Sequence, residues 1–293
     1  MTQLDIRKLS PTVGAEVVGF DPNAQVDVAT WRQLSKAFDE NGFLVFRDIE
    51  LDVATQHKMV EMLFSGGDEA AAGDFETEHF SYVSNKEEDG GAPYGRLLFH
   101  SDMMWSDIAN QVASLWALEA EQPAVPTTFV STTHAWKTLP EDLKERVKGL
   151  RARHESGQQG RGNSKHEDEL LQPNWDKLRD TTTPVGMPHP RTGEMMLYVC
   201  EQQTREIVGL PKAESDALLD KLFEHLYRPE FVYAHQWRKH DFLPWDNQLT
   251  QHGRPYVPGK GPARTLRKIH APSKILRQFG KPTYATAAAA ATM

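Results

Sequence analysis

Arg96-Leu97-Leu98-Phe99-His100-Ser101-Asp102-Met103-Met104-Trp105 sets a histidine and an aspartate two residues apart inside an otherwise apolar run. In an extended strand, residues i and i+2 point to one face. His100 and Asp102 would therefore offer an imidazole nitrogen and a carboxylate oxygen to one ion, while Ser101 faces away. An unpaired charge in such an apolar setting is costly, which gives both polar groups reason to share a partner. A nitrogen and oxygen pair suits a borderline divalent metal, and a second histidine downstream would complete the two-histidine, one-carboxylate set of non-haem Fe(II) oxygenases. His252, 150 residues beyond Asp102 in Thr250-Gln251-His252-Gly253-Arg254, is the candidate. A second His-x-Asp, His166-Glu167-Asp168, lies in a polar segment and reads as a solvated loop. Context, and not the motif, separates the two.

Twelve residues past His252, Arg264 opens Arg264-Thr265-Leu266-Arg267-Lys268. Strand alternation puts Arg264, Leu266 and Lys268 on one face and Thr265 and Arg267 on the other, so two cations could look into one pocket. The chain as a whole carries a formal net charge of -8 from 33 basic and 41 acidic residues. That leaves no excess of Lys and Arg for a nucleic-acid partner, but allows an anionic small molecule where a few cations converge. Cys200 is the sole cysteine, so no intrachain disulfide can form and a reducing compartment, the cytoplasm, is expected. The first residues lack the apolar core of a signal peptide, and no run of about 20 apolar residues occurs, so no membrane span is expected.

Along the chain, residues 1 to 20 read as short strands around Gly14. Trp31, Leu34, Ala37 and Phe38 recur at helical spacing from Asp27 to Glu40, and Asn41-Gly42 ends that helix. Phe43 to Phe46 reads as a buried strand, and a second helix runs from about Val53 to Phe64. Strands are expected at Gln111 to Leu118, Thr127 to Thr132, Phe231 to Trp237, Pro244 to Thr250 and Ala263 to His270. A hairpin is expected around His189 to Gly193 with Met195 to Val199, and helices at Pro140 to Leu150 and Lys212 to Leu226. Residues 65 to 95 and 155 to 182 read as long insertions, the first as a lid. This pattern predicts a mainly β chain with helices: a β-sandwich or jelly roll with a helical N-terminal part, in one domain over residues 1–282. The alanine-rich residues 283–293 are expected to be a disordered tail.

These residues together resemble the TauD/TfdA (taurine dioxygenase) family of Fe(II)- and 2-oxoglutarate-dependent dioxygenases. The likeness is carried by Val13-Gly14-Ala15 with Gly19, His100-Ser101-Asp102, Thr128-Phe129-Val130, His189-Pro190-Arg191-Thr192-Gly193 with Leu197-Tyr198, Trp245-Asp246-Asn247 with Thr250-Gln251-His252, and Arg264. The resemblance implies a double-stranded β-helix, cupin-like in architecture, with His100, Asp102 and His252 holding Fe(II). It also implies 2-oxoglutarate chelating the metal, Arg264 and Thr128 binding its distal carboxylate, and O2 as co-reactant. A one-residue slip would put Thr127 in the place of Thr128. The carboxylate ligand Asp102 implies hydroxylation over halogenation. Lys268 stands where taurine-cleaving relatives hold the sulfonate with an arginine, His79 is the nearest candidate for their substrate-binding histidine, and Met104 suggests an apolar pocket wall.

The expected reaction is hydroxylation of a small organic acid (a sulfonate, sulfate ester, aryloxyalkanoate or carboxylate), with cleavage of a C–S, C–O or C–N bond where the hydroxylated carbon carries that heteroatom. A homo-oligomer, dimer or tetramer, is expected from the same likeness. Two readings compete: a cupin-like metal enzyme that does not use 2-oxoglutarate, and a non-catalytic small-molecule sensor on the same scaffold.

Overall fold

The computed structural model of the chain describes residues 4–68, 79–106, 111–157, 159–259 and 261–272, so the predicted tail lies outside the described residues. At the N-terminal end β1 (Asp5–Lys8) pairs antiparallel with β2 (Ala15–Val18), which pairs in parallel with β3 (Leu44–Val45). Gly14, between the first two, has φ +87°, and a Cβ there would overlap the Phe43 ring, so no larger residue fits. Helix α1 (Val28–Asn41) starts where Asp27 accepts from the Thr30 amide at 2.7 Å and stops at Gly42, whose φ of 77° is left-handed. Its buried positions Trp31, Leu34, Ala37 and Phe38 are those of the apolar periodicity. Helix α2 (Val53–Phe64) is capped in the same way by Asp52.

Two four-stranded antiparallel sheets form the centre. The larger runs β14 (Phe242–Asp246), β6 (Val112–Ala120), β16 (Arg264–Ala271), β4 (Ser81–Ser84); the smaller runs β13 (Tyr233–His235), β7 (Thr127–Ser131), β15 (Thr250–Arg254), β5 (Leu97–His100). Sequence neighbours rarely pair within either sheet, and this crossing between sheets is the jelly roll. Phe129 of β7, Leu266 of β16, Trp245 of β14 and Phe43 fill the space between them. Phe43 and Phe46 also bridge to Trp245 and Phe242, fastening the N-terminal sheet to the edge of the larger one. On that sheet's outer face, Trp116 and Ile269 pack with α1 and α2 residues. The outer face of the smaller sheet is covered through Val130 by α3 (Thr132–Thr138), α4 (Glu141–Val147), α5 (Lys212–Leu226) and the hairpin of β10 (Gly186–Pro188) and β11 (Met195–Leu197).

Three expectations change. The first insertion, 65 to 95, contains β4, an edge strand that pairs with β16 over Ser81 to Ser84. The second, 155 to 182, ends in β9 (Asp180–Pro184), which forms a three-stranded sheet with β8 (Arg151–Glu155) and β12 (Thr204–Ile207). The strand expected from Pro244 to Thr250 is interrupted: Pro244 to Asp246 belong to β14 and Thr250 opens β15, and between them Asp246 Oδ1 accepts from the Gln248 and Leu249 amides at 2.9 Å each, bending the chain back. Among the described residues, no helix is long and apolar enough to cross a membrane.

Candidate metal centre

His100 ends β5 and His252 sits in the middle of β15, directly opposite it in the antiparallel register, with ring centroids 4.2 Å apart. Register therefore brings the two histidines to one face, which Phe129 shares as the β7 partner of His252. Asp102 lies past the strand end, where Met103 takes a left-handed φ of 59° and turns the chain. Asn247 holds that turn from both sides: its Oδ1 accepts from the Asp102 amide and its Nδ2 donates to the Asp102 carbonyl, each at 2.8 Å. The carboxylate is thus placed by the turn between β14 and β15, and not by strand alternation alone.

Asp102 Oδ1 lies 3.7 Å from His100 Nε2 and 4.0 Å from His252 Nε2, and the three donor atoms are all within 4.8 Å of one another. Ligands about 2.1 Å from one small divalent ion lie at most about 4.2 Å apart, so both separations from Oδ1 are within reach of a shared ion. Protonation agrees. His100 Nδ1 is 2.8 Å from the Leu98 carbonyl, which can only accept, so Nδ1 carries a proton and Nε2 is the nitrogen turned towards Asp102 Oδ1. Burial, with His100 beside it, keeps the His252 pKa well below the ordinary histidine value, so this ring is neutral. Burial by itself would push the Asp102 carboxyl up, but the Lys268 ammonium, then His100 and His270, hold it well below the usual carboxylate range. Two imidazoles and one carboxylate are a donor set suited to a divalent metal such as Fe(II).

The other predicted residues divide. Arg264 is 6 % exposed, and burial lowers its guanidinium to about 10, which leaves it charged at neutral pH. Its amide donates to Asn85 Oδ1, while the guanidinium makes no hydrogen bond or ion pair within the described residues. A buried cation in that condition calls for an anion. Leu266, on the same face of β16, is packed against Phe129 between the sheets. Lys268, two residues further, puts Nζ 2.7 Å from Asp102 Oδ2, so its charge meets the ligand carboxylate.

Thr128 is not on this face. It pairs with Gly253, alternates with the inward Phe129, and lines an outer cavity of about 960 Å³ together with Phe99, Tyr227 and Arg161. That cavity includes none of the three metal-ligand candidates. Thr127 faces inward instead, its Oγ1 accepting from Trp237 Nε1 at 2.9 Å. Met104 is packed with Met196, Tyr198, Cys200 and Leu249. His79 is exposed, and its carbonyl lies 3.0 Å from His57 Nε2 on α2. The second His-x-Asp forms an exposed 3-10 turn, where His166 Nδ1 is 3.4 Å from Glu169. His270, whose Nε2 is 3.4 Å from Asp102 Oδ2, was missed by the sequence reading, although alternation from Lys268 points to it.

The chain is similar to known proteins in sequence and in fold. An alkylsulfatase of Acinetobacter baylyi is 28 % identical over 259 residues, covering 85 % of this chain and 79 % of the relative. An alpha-ketoglutarate-dependent 2,4-dichlorophenoxyacetate dioxygenase of Cupriavidus pinatubonensis is 26 % identical over 268 residues, covering 85 % and 91 %. The fold matches the crystal structure of a taurine dioxygenase from Burkholderia xenovorans with a TM-score of 0.71 at 23 % identity, over 99 % of this chain and 98 % of that one. The sequence model of the Taurine catabolism dioxygenase TauD, TfdA family matches residues 5–270, and the chain belongs to that family of Fe(II)- and 2-oxoglutarate-dependent dioxygenases.

Proposed function

We propose that this dioxygenase hydroxylates a small organic acid, of the sulfonate, sulfate-ester, aryloxyalkanoate or carboxylate class, with His100, Asp102 and His252 holding the iron. Bound Fe(II), with 2-oxoglutarate and O2, supplies the oxidising power to place oxygen on a C–H carbon, the cosubstrate leaving as succinate and carbon dioxide. The chain's own residues do the rest by holding anions and excluding water. Arg264 pairs with the distal carboxylate of 2-oxoglutarate, where a planar guanidinium can give two charge-assisted hydrogen bonds. Thr127, whose oxygen already accepts from Trp237, keeps its own proton to donate to the same group. Lys268 has three donors and Asp102 takes one, leaving others for the acidic group of the substrate. Phe129 and Trp245 wall the His252 ring, with centroids 6.1 and 4.8 Å away, and keep that side dry.

The observation that carries this reading is the buried, unpaired Arg264 guanidinium on a strand whose Lys268 touches the metal-ligand carboxylate. The relatives named as an alkylsulfatase and a 2,4-dichlorophenoxyacetate dioxygenase support the substrate class. The test is succinate release from iron-loaded protein across a panel of alkyl sulfates, sulfonates and aryloxyalkanoates. Arg264→Ala should raise the apparent KM for 2-oxoglutarate at least about 30-fold, the loss expected when one partner of a buried charge pair is removed. An unchanged KM would show that another residue holds the cosubstrate. Tight iron binding without succinate on any acid would favour the cosubstrate-independent enzyme or the sensor.

A further inference from the structure

We propose that His270 is a positioning residue of the metal centre: it donates from Nε2 to the outer oxygen of Asp102 and, together with Lys268, leaves only the inner oxygen free to bind the metal. The proposal rests on the metal-centre reading above. Asp102 divides its two oxygens between opposite sides. Oδ1 faces the two ligand imidazoles at 3.7 and 4.0 Å, while Oδ2 lies 2.7 Å from Lys268 Nζ and 3.4 Å from His270 Nε2. An ionised carboxylate only accepts, so the His270 contact requires the proton on Nε2.

The two anchors are not equivalent. Lys268 is a point charge on a flexible stem, and its positive charge works against a divalent ion a few ångströms away. His270 is buried on the rigid β16 strand, and as a neutral ring it gives a directed hydrogen bond without adding positive charge. A carboxylate with a free outer oxygen can rotate or chelate the metal through both oxygens. One whose outer oxygen is held keeps a single inward donor and leaves metal positions for other ligands. Outer partners of this kind are typically worth about 10- to 100-fold in metal affinity.

The test is titration of the apoprotein with Mn(II) and Co(II), read as a dissociation constant and as the visible Co(II) absorption spectrum, with no turnover involved. His270→Leu keeps volume and removes the donor; His270→Gln keeps an N–H in reach. The expected result is a 10- to 100-fold weaker Co(II) site with an altered spectrum in the Leu variant, and recovery of both in the Gln variant. His166→Leu, on the exposed 3-10 turn, removes no group from Asp102 and should keep the wild-type metal affinity. Wild-type affinity and spectrum in His270→Leu would overturn the proposal. So would equal loss in both His270 variants at unchanged melting temperature, because packing and not the donor would then be responsible. Wild-type protein that takes up neither ion would contradict the metal centre itself, and the proposal with it.

Discussion

His100, Asp102 and His252 stand out in the sequence as candidates because each combines a chemically unusual side chain with an apolar or strand-like setting, and the structure brings the three together. The structure supplies the reason the spacing works: His252 is the register partner of His100, and Asn247 ties Asp102 to the turn before His252. Thr127 and Thr128 could not be separated in that way. Adjacent threonines on a strand face opposite sides, and a one-residue slip exchanges them without changing any pattern. Only the pairing of Thr128 with Gly253 and of Thr127 with Trp237 decides it. Thr127→Val should therefore raise the KM for 2-oxoglutarate about 10-fold, the range of a lost hydrogen bond to a charged group, whereas Thr128→Val should leave it alone. Steady-state kinetics on the pair checks this, and the opposite pattern would restore Thr128. His270 escaped notice because a lone histidine near a strand end has no signature until a carboxylate is seen beside it.

At the scale of elements, the helices were the easier part. Capping aspartates and buried periodicity mark α1 and α2 directly, and α5 follows from its apolar stripe. The strands β4 and β9 were hidden inside polar segments, since an edge strand such as β4 is only half buried and carries no apolar run. The turn between β14 and β15 was read as strand because its residues, Asn247 to Leu249, give no Gly or Pro signal. Its bend is driven by Asp246, which is fully buried. Asp246 Oδ2 pairs with Arg191 at 2.6 Å and His189 at 3.2 Å, while Oδ1 accepts from two amides. Burial alone would raise this carboxyl, but His189 and Arg191 and the Leu249 amide hold it below its ordinary value.

A depressed folded pKa stabilises the protein fully above the unfolded value, about 3.9, and that contribution is lost as pH falls towards the folded value. Asp246→Asn should accordingly cost about 3 to 5 kcal/mol at neutral pH, as expected for breaking a buried pair. The variant should then lose less further stability than the wild type between about pH 4 and pH 2. Denaturant melts at both pH values measure this. Parallel pH profiles in the two proteins would assign the network no role in acid sensitivity.

For the molecule as a whole, alternation and length point to a mainly β, jelly-roll architecture, and the two antiparallel sheets bear it out. What composition could not convey was which strands pair, because pairing here joins residues far apart in the chain: His100 with His252, and Arg264 with Ala120. Those pairings bring the candidate metal ligands and a buried cation from β16 into the space between two sheets. The proposed site holds a divalent metal and the carboxylate cosubstrate together in this interior. An anaerobic titration of Fe(II)-loaded protein with 2-oxoglutarate tests it most directly. The expected result is a weak visible charge-transfer band that saturates with one cosubstrate per chain, is lost in Asp102→Ala and needs far more 2-oxoglutarate in Arg264→Ala. No band in wild-type protein whose iron content has been verified would contradict it.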